Sequence, residues 1–378
     1  MSTTLQYLIP ADAPRLLGEQ LARAGAGVKP QVFARSAGPD FDGLGLMDRG
    51  QRLADALARH LPAHFPDAAA LLVASMGQPL GLDAKGEPLA SGDVPSSFFY
   101  LPHSLFVATQ GLGHLDAAMA AQHALTQRFT AEFSLRPYLQ HHTQATLVHL
   151  AAWSTDASAH VRRAVSESTR PRLPWAPRLR VFDDNPEPVL ALLTRLRDDP
   201  SSYVRRSVAN HLNDRVKSHP DRLLSLAREW LDGPAVPSTR EALVRHALRT
   251  ALKRGDPQAL ALFGHGKPSV ILVAKPHVQP AQVLIGERVE LCCELHNPTD
   301  RVASVLADWR VHYVKADGSR SPKVFKGQEL TLAPGARVDL QKTLSLRQMT
   351  TRTHHPGRHR VEIALNGQPH AVGHFDLR

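Results

Sequence analysis

Glu167 is the only acidic residue between positions 157 and 182, a stretch that holds six arginines. Eight residues later comes Trp175, set between Pro174 and Pro177 in "LPWAP". Arginines at this density suit a polyanion, whose phosphates they grip without reading sequence. A carboxylate suits the opposite sign. It can stabilise positive charge that develops in a reaction, and it can accept a proton from water. An aromatic face adds a cation–π attraction of ~1–2 kcal/mol.

The elements that would carry these residues show themselves as a repeat. "DASAHVRRAVSES" begins at Asp156 and "DPSSYVRRSVANH" at Asp199, an offset of 43 residues. "STREALVRHALRTALKR" is a looser third copy, with Val244 placed 40 residues after Val204. A helical period of 40–47 residues is the HEAT/armadillo signature. Such repeats stack helix pairs into a solenoid with a concave binding face. Helical spacing puts Val204, Val208 and Leu212 in one buried row, with Val161 and Val165 the matching row before it. Arg206, Asn210 and Asp214 form a second row roughly opposite. Arg163 and Glu167 match it one repeat earlier, and His246, Thr250 and Arg254 one repeat later. The plain alternative is a solvated helix face held by i,i+4 ion pairs such as Arg163–Glu167.

Helical patterns fill residues 1–265. In "MDRGQRLADALARHL", Leu53, Leu57 and Leu61 recur at i, i+4 and i+8. Residues 269–378 change to strand patterns. "RVELCCELH" alternates Val289, Leu291, Cys293 and Leu295 against Glu290, Cys292, Glu294 and His296. "RVEIALNGQPHAVGHFDL" reads as a terminal hairpin around Asn366-Gly367. About seven short strands in ~110 residues fit an immunoglobulin-like sandwich. The predicted fold is therefore multidomain: an all-α HEAT-like repeat solenoid over 1–265, then an all-β immunoglobulin-like sandwich over 269–378.

Composition narrows the partner. The 378 residues carry a formal net charge of +10. From 267 onward, 16 Lys and Arg face 10 Asp and Glu. Both parts therefore suit a polyanion. The two cysteines, Cys292 and Cys293, are adjacent, so no disulfide framework is expected. The first residues lack the charged-then-apolar pattern of a signal peptide. No run approaches the ~18–20 apolar residues of a membrane span. The expectation is a cytoplasmic protein that needs no membrane. "GHGKPS" has a proline where a phosphate-binding loop needs Ser or Thr, and "GLGHLD" lacks the third glycine of a dinucleotide fingerprint. The His pairs at 141–142 and 354–355 lack ligand spacing, so no metal and no cofactor is assigned.

Four ordered blocks carry a family resemblance: "GLGHLDAAMAAQHALTQRFTAEFSLRPYL", "HVRRAVSESTRPRLPW", "YVRRSVANHLNDRVKSHP" and "REALVRHALRTALKRGDPQALALFG". Over about 105–265 the chain resembles the AlkC family of bacterial DNA alkylation-repair glycosylases, HEAT-like repeat enzymes related to the AlkD family. A C-terminal Ig-like domain fits the same family. The resemblance implies hydrolysis of the N-glycosidic bond of cationic N3-alkylated bases, chiefly 3-methyladenine and in some members 3-methylcytosine. It implies double-stranded DNA containing alkylated bases as the partner of a monomer, with the Ig-like domain closing on the other side of the duplex. Carried over by motif, the active site uses Glu132 of "TAEF", Glu167 of "SEST", Trp175 of "LPWAP" and Asp214 of "NHLND". Arg163, Arg206 and Asn210 are the DNA-binding candidates. The competing function is a non-catalytic HEAT scaffold that binds nucleic acid or protein through the same basic face. Such a scaffold gains nothing from Glu167 and Asp214 inside the basic rows.

Overall fold

The computed structural model describes residues 5–90, 92–174, 176–349 and 353–378. Helices run from Ala13 to Ala261, and eight strands follow from Leu272 to Leu377. The chain forms two compact units. One holds residues up to Ser218 together with Pro237–Ala247, and the other holds His219–Val236 and Leu248–Arg378. The division between units therefore does not coincide with the change from helix to strand. Among the described residues no helix is long and apolar enough to cross a membrane.

In the first unit the three copies of the repeat become helices Ala159–Ser168, Ser202–Arg215 and Ser238–Ala247, the second packed against both others. The first two start in the same way. Asp156 Oδ1 accepts from the Ser158 N–H at 2.7 Å, and Asp199 Oδ1 from the Ser201 N–H at 2.8 Å. These are Asx turns, in which a short carboxylate captures the backbone two residues on. Arg162 then reaches back to the carbonyls of Asp156 (2.8 Å) and Ala157 (3.0 Å). Arg205 does the same to Asp199 and Pro200. The first arginine of each "VRR" thus fastens a helix to its own entry loop. The second, Arg163 or Arg206, is one position further round the helix and serves another face.

The buried rows are those that spacing predicts. Val161, Val165, Val204, Val208 and Leu212 are all buried, as are Leu53 and Leu57 on the earlier helix Leu46–His60 and Leu61 just past its end. Each such side chain contributes roughly 1.5–3 kcal/mol by leaving water.

In the second unit, β1 (Leu272–Gln279), β3 (Arg288–His296) and β6 (Arg337–Ser345) form one sheet in the order β1-β3-β6. The other holds β2 (Gln282–Val283), β4 (Ala303–Val314), β5 (Arg320–Leu332), β7 (Gly357–Leu365) and β8 (Gln368–Leu377) in the order β2-β8-β7-β4-β5. Val289, Leu291, Cys293 and Leu295 are buried among the inner faces as the alternation predicts. Glu294, on the opposite face, is covered as well, held by Lys275 at 2.8 Å and by Arg337. Two cations on neighbouring strands cover the carboxylate. The β7–β8 hairpin turns through Asn366 and Gly367 at φ 47° and 80°, the positive angles a tight type I′ turn requires. Both cysteines are free.

Candidate active site

Glu167 sits near the end of the first repeat helix and is 5% exposed. Both of its oxygens are occupied. Oε1 accepts from Arg170 Nη1. Oε2 accepts from the Ser207 hydroxyl of the second repeat helix at 2.5 Å, with Arg163 Nη2 at 3.7 Å. From Glu167 a chain of alternating charges runs in two directions. Arg163 Nη1 lies 3.2 Å from Glu132 Oε2, which also accepts from the Thr130 hydroxyl at 2.8 Å. Arg170 Nε and Nη2 both lie 2.8 Å from Asp214 Oδ2. The order is Glu132, Arg163, Glu167, Arg170, Asp214. Three carboxylates from three separate stretches of sequence are strung on two guanidiniums.

The two ends of the chain differ from its centre. Among the described residues, Oε1 of Glu132 and Oδ1 of Asp214 take no hydrogen bond, and both side chains keep some exposure, 13% and 18%. Burial pushes the Glu132 carboxyl above the usual carboxylate range, a shift that Arg163 opposes without cancelling. Burial also pushes on Glu167, but there Arg163, Arg170 and the Ser207 hydroxyl outweigh it and the carboxyl is held low. Arg163 is flanked further by the ring of Tyr203, 5.0 Å from guanidinium carbon to centroid.

Around this chain the backbone is fixed by buried polar groups. Arg136 donates to the carbonyl of Arg170 at 3.0 Å and to that of Pro177 at 2.5 Å. It thereby pins both ends of the segment 170–177. Burial lowers its guanidinium to about 10. The fully buried His211 ring meets the Ser166 carbonyl at Nδ1 (2.9 Å) and accepts from Arg215 Nε at Nε2 (3.1 Å). Burial first, and then the nearby Arg215, keep that imidazole neutral.

The structure thus brings Glu132, Glu167, Asp214 and Arg163 together. Trp175 lies outside the described residues. Arg206 is apart from the charge chain: it is exposed and holds Glu87, with 2.8 Å from Nη2 to Oε2. Asn210 lies one turn before Asp214 on the same helix and is half-buried. Arg163 differs from the expected phosphate contact, because its guanidinium already serves two carboxylates and a tyrosine ring. Sequence reading missed Arg170, Arg136, Ser207 and Glu87. Only Arg170 left a local signal, its i,i+3 distance from Glu167 at the helix end. Among the described residues, no group of three or more His, Cys, Asp and Glu gathers in a way that could hold a metal ion.

Comparison with known proteins bears on this arrangement. Residues 272–378 match the family described as "Uncharacterised protein YhaZ, C-terminal Ig-like domain". The chain is similar to the "Uncharacterized protein YhaZ" of Bacillus subtilis, 38% identical over 263 residues, which are 70% of this chain and 72% of that protein. It is also similar to the solved structure of the Pseudomonas fluorescens alkylpurine DNA glycosylase AlkC bound to DNA containing an abasic site analog. The identity there is 33%, the TM-score 0.87, and the match covers 99% of each chain.

Proposed function

Because the chain belongs to the AlkC family, we propose that it is a DNA glycosylase that removes cationic N3-alkylated bases from double-stranded DNA by hydrolysis, acting as a cytoplasmic monomer in base excision repair. The observation that carries this reading is the charge chain. Its two ends, Glu132 and Asp214, are carboxylates that keep some exposure. Negative charge is the sign a cationic nucleotide would meet favourably.

The chemistry follows from the leaving group. In 3-methyladenine the ring already carries positive charge. When the C1′–N bond breaks, the electron pair goes to the base, which departs neutral, and positive charge moves to the deoxyribose. The enzyme then has to stabilise an oxocarbenium-like sugar and direct a water to C1′. Glu132 and Asp214 suit those tasks, since among the described residues each keeps one oxygen free of protein partners. One takes the proton that water loses as its oxygen bonds to C1′. At ~4 Å and an effective dielectric near 20, a carboxylate–cation pair is worth roughly 4 kcal/mol before desolvation. That is about three decades of rate if it strengthens only in the transition state. Trp175, from the family motif, is assigned a cation–π role against the sugar or base. Glu167 belongs to the site through the arginines it holds. Arg206 and Asn210 are assigned to the DNA backbone; Arg206 would exchange Glu87 for a phosphate. Residues 1–265 form the glycosylase part in this reading and 269–378 the Ig-like domain.

The test is release of free base from methylated duplex DNA, resolved by lesion. Release of 3-methyladenine supports the reading. Binding of the same duplex without any base release would favour a scaffold.

A further inference from the structure

We propose that Arg170 is a positioning residue of the glycosylase reaction, which aims the free oxygen of Asp214 by locking the other, with Glu167 as its anchor. This rests on the functional reading above.

The geometry is specific to an arginine. All three guanidinium nitrogens are engaged: Nε and Nη2 share Asp214 Oδ2, and Nη1 meets Glu167 Oε1. The planar fork thus joins the end of the first repeat helix to the second across 44 residues of sequence. Its own backbone is held as well, because Arg136 donates to the Arg170 carbonyl at 3.0 Å. An unrestrained aspartate carboxylate rotates broadly about its last torsion. The hydrogen bond from Nε and the ion contact of Nη2, both on Oδ2, restrict that freedom and direct Oδ1. Preorganisation of this kind is what electrostatic catalysis needs, since the donor or acceptor must not reorganise as charge develops.

Glu167 explains why the fork stays in place. Its two oxygens are both occupied, one by Arg170 and the other by Ser207 and Arg163. With 5% exposure it has no free face for a substrate. The reacting carboxylates are then Glu132 and Asp214, and Glu167 acts through the arginines. A lysine at 170 would keep the charge but could not present three coplanar donors.

A double-mutant cycle with a binding control tests this. The rates are single-turnover release of 3-methyladenine by wild type, Arg170→Lys, Arg170→Gln, Asp214→Asn and the double variant Arg170→Gln/Asp214→Asn. Affinity is read on a duplex with an abasic-site analogue. Arg170→Gln should slow release at least tenfold and Arg170→Lys less, each changing affinity under threefold. In the double variant, release should be no slower than in Asp214→Asn alone, because Arg170 works through Asp214. If Arg170→Gln fails to fold, the same cycle is run with Arg170→Lys. A wild-type rate in the folded Arg170 variant, or equal factors with and without the Asp214 change, overturns the proposal. Absence of base release by wild type would overturn the functional reading itself, and that result is distinct because it appears before any substitution.

Discussion

Arg162 holds Asp199 with two parallel hydrogen bonds, Nε to Oδ2 at 2.6 Å and Nη2 to Oδ1 at 3.0 Å, and the aspartate side chain is 3% exposed. The same carboxylate organises the start of the next repeat helix through the Ser201 N–H. One residue thus couples two repeats. Removing one partner of a buried pair leaves the other charge stranded. Asp199→Ala is therefore expected to cost ~3 kcal/mol of stability. Denaturant unfolding checks this, and a midpoint equal to wild type would refute the coupling.

Asp214→Asn should nearly abolish base excision, by about three decades, the rate equivalent of one carboxylate–cation pair. The amide keeps the shape and removes the charge, so the loss belongs to the chemical step. Affinity for an alkylated duplex should change little or rise. Single-turnover rates near wild type in the Asn variant would refute the assignment of Asp214.

The acid limb of the rate profile should lie above the ordinary carboxylate range. Glu132 must be ionised to act, and burial raises its carboxyl while Arg163 opposes the rise. As pH falls through that raised value, the carboxylate is lost and the rate drops. Arg163→Gln removes the opposing charge and should move the limb to still higher pH. Stability has two opposite contributions here. Ionised Glu132 carries a cost that is fully present above its folded-state pKa and is relieved as pH falls through it. Glu167, held low, contributes stability present above its unfolded pKa and lost as pH falls through the folded one. Rates from pH 4 to 9 in both proteins decide the point. A limb at the ordinary carboxylate value, unmoved by Arg163→Gln, contradicts it.

The second compact unit should also grip the duplex. Lys253, Arg254 and Arg310 line one cavity of about 550 Å³. Among the described residues, neither Lys253 nor Arg254 has an ion-pair partner. Each phosphate neutralised adds about 0.9 to the salt slope of binding. Lys253→Glu with Arg254→Glu should therefore lower the slope by about 2 on undamaged duplex. A slope unchanged from wild type would assign this cavity elsewhere.

How much of this could be read from the chain depends on distance along it. The rows Val161–Val165 and Val204–Val208–Leu212 follow from periodicity, because burial on a helix repeats every three to four residues. The Arg163–Glu167 pair is also visible at i,i+4, and it forms at 3.7 Å. What periodicity cannot show is which far residue meets the polar row. Arg170 lies past the helix end and finds Asp214 on another repeat. Arg206 finds Glu87, 119 residues away, in a loop with no periodic signal. Glu294 faces outward as strict alternation expects, and what the strand pattern could not show is that two cations on neighbouring strands cover it. Glu132 and its role came from the family motif. Its burial against Arg163 depends on tertiary packing.

Selectivity should follow the charge of the leaving base. A neutral base such as hypoxanthine or uracil departs as an anion unless an acid protonates it. Two partly exposed carboxylates, Glu132 and Asp214, would oppose that anion. Burial holds the proton of the Glu132 carboxyl more tightly than usual. It sits beside Arg163, however, which favours its ionised form. The charge chain therefore suits stabilising a cation better than donating a proton. Cationic 3-methyladenine should be released at least a hundredfold faster than hypoxanthine or uracil from matched duplexes at neutral pH. If Glu132 did serve as a general acid, neutral bases would be excised at comparable rates, and their excision would increase as pH fell toward its raised pKa. Single-turnover assays of the three lesions at two pH values separate these outcomes. Comparable release of the neutral bases, growing at the lower pH, would replace the electrostatic account with acid catalysis by Glu132.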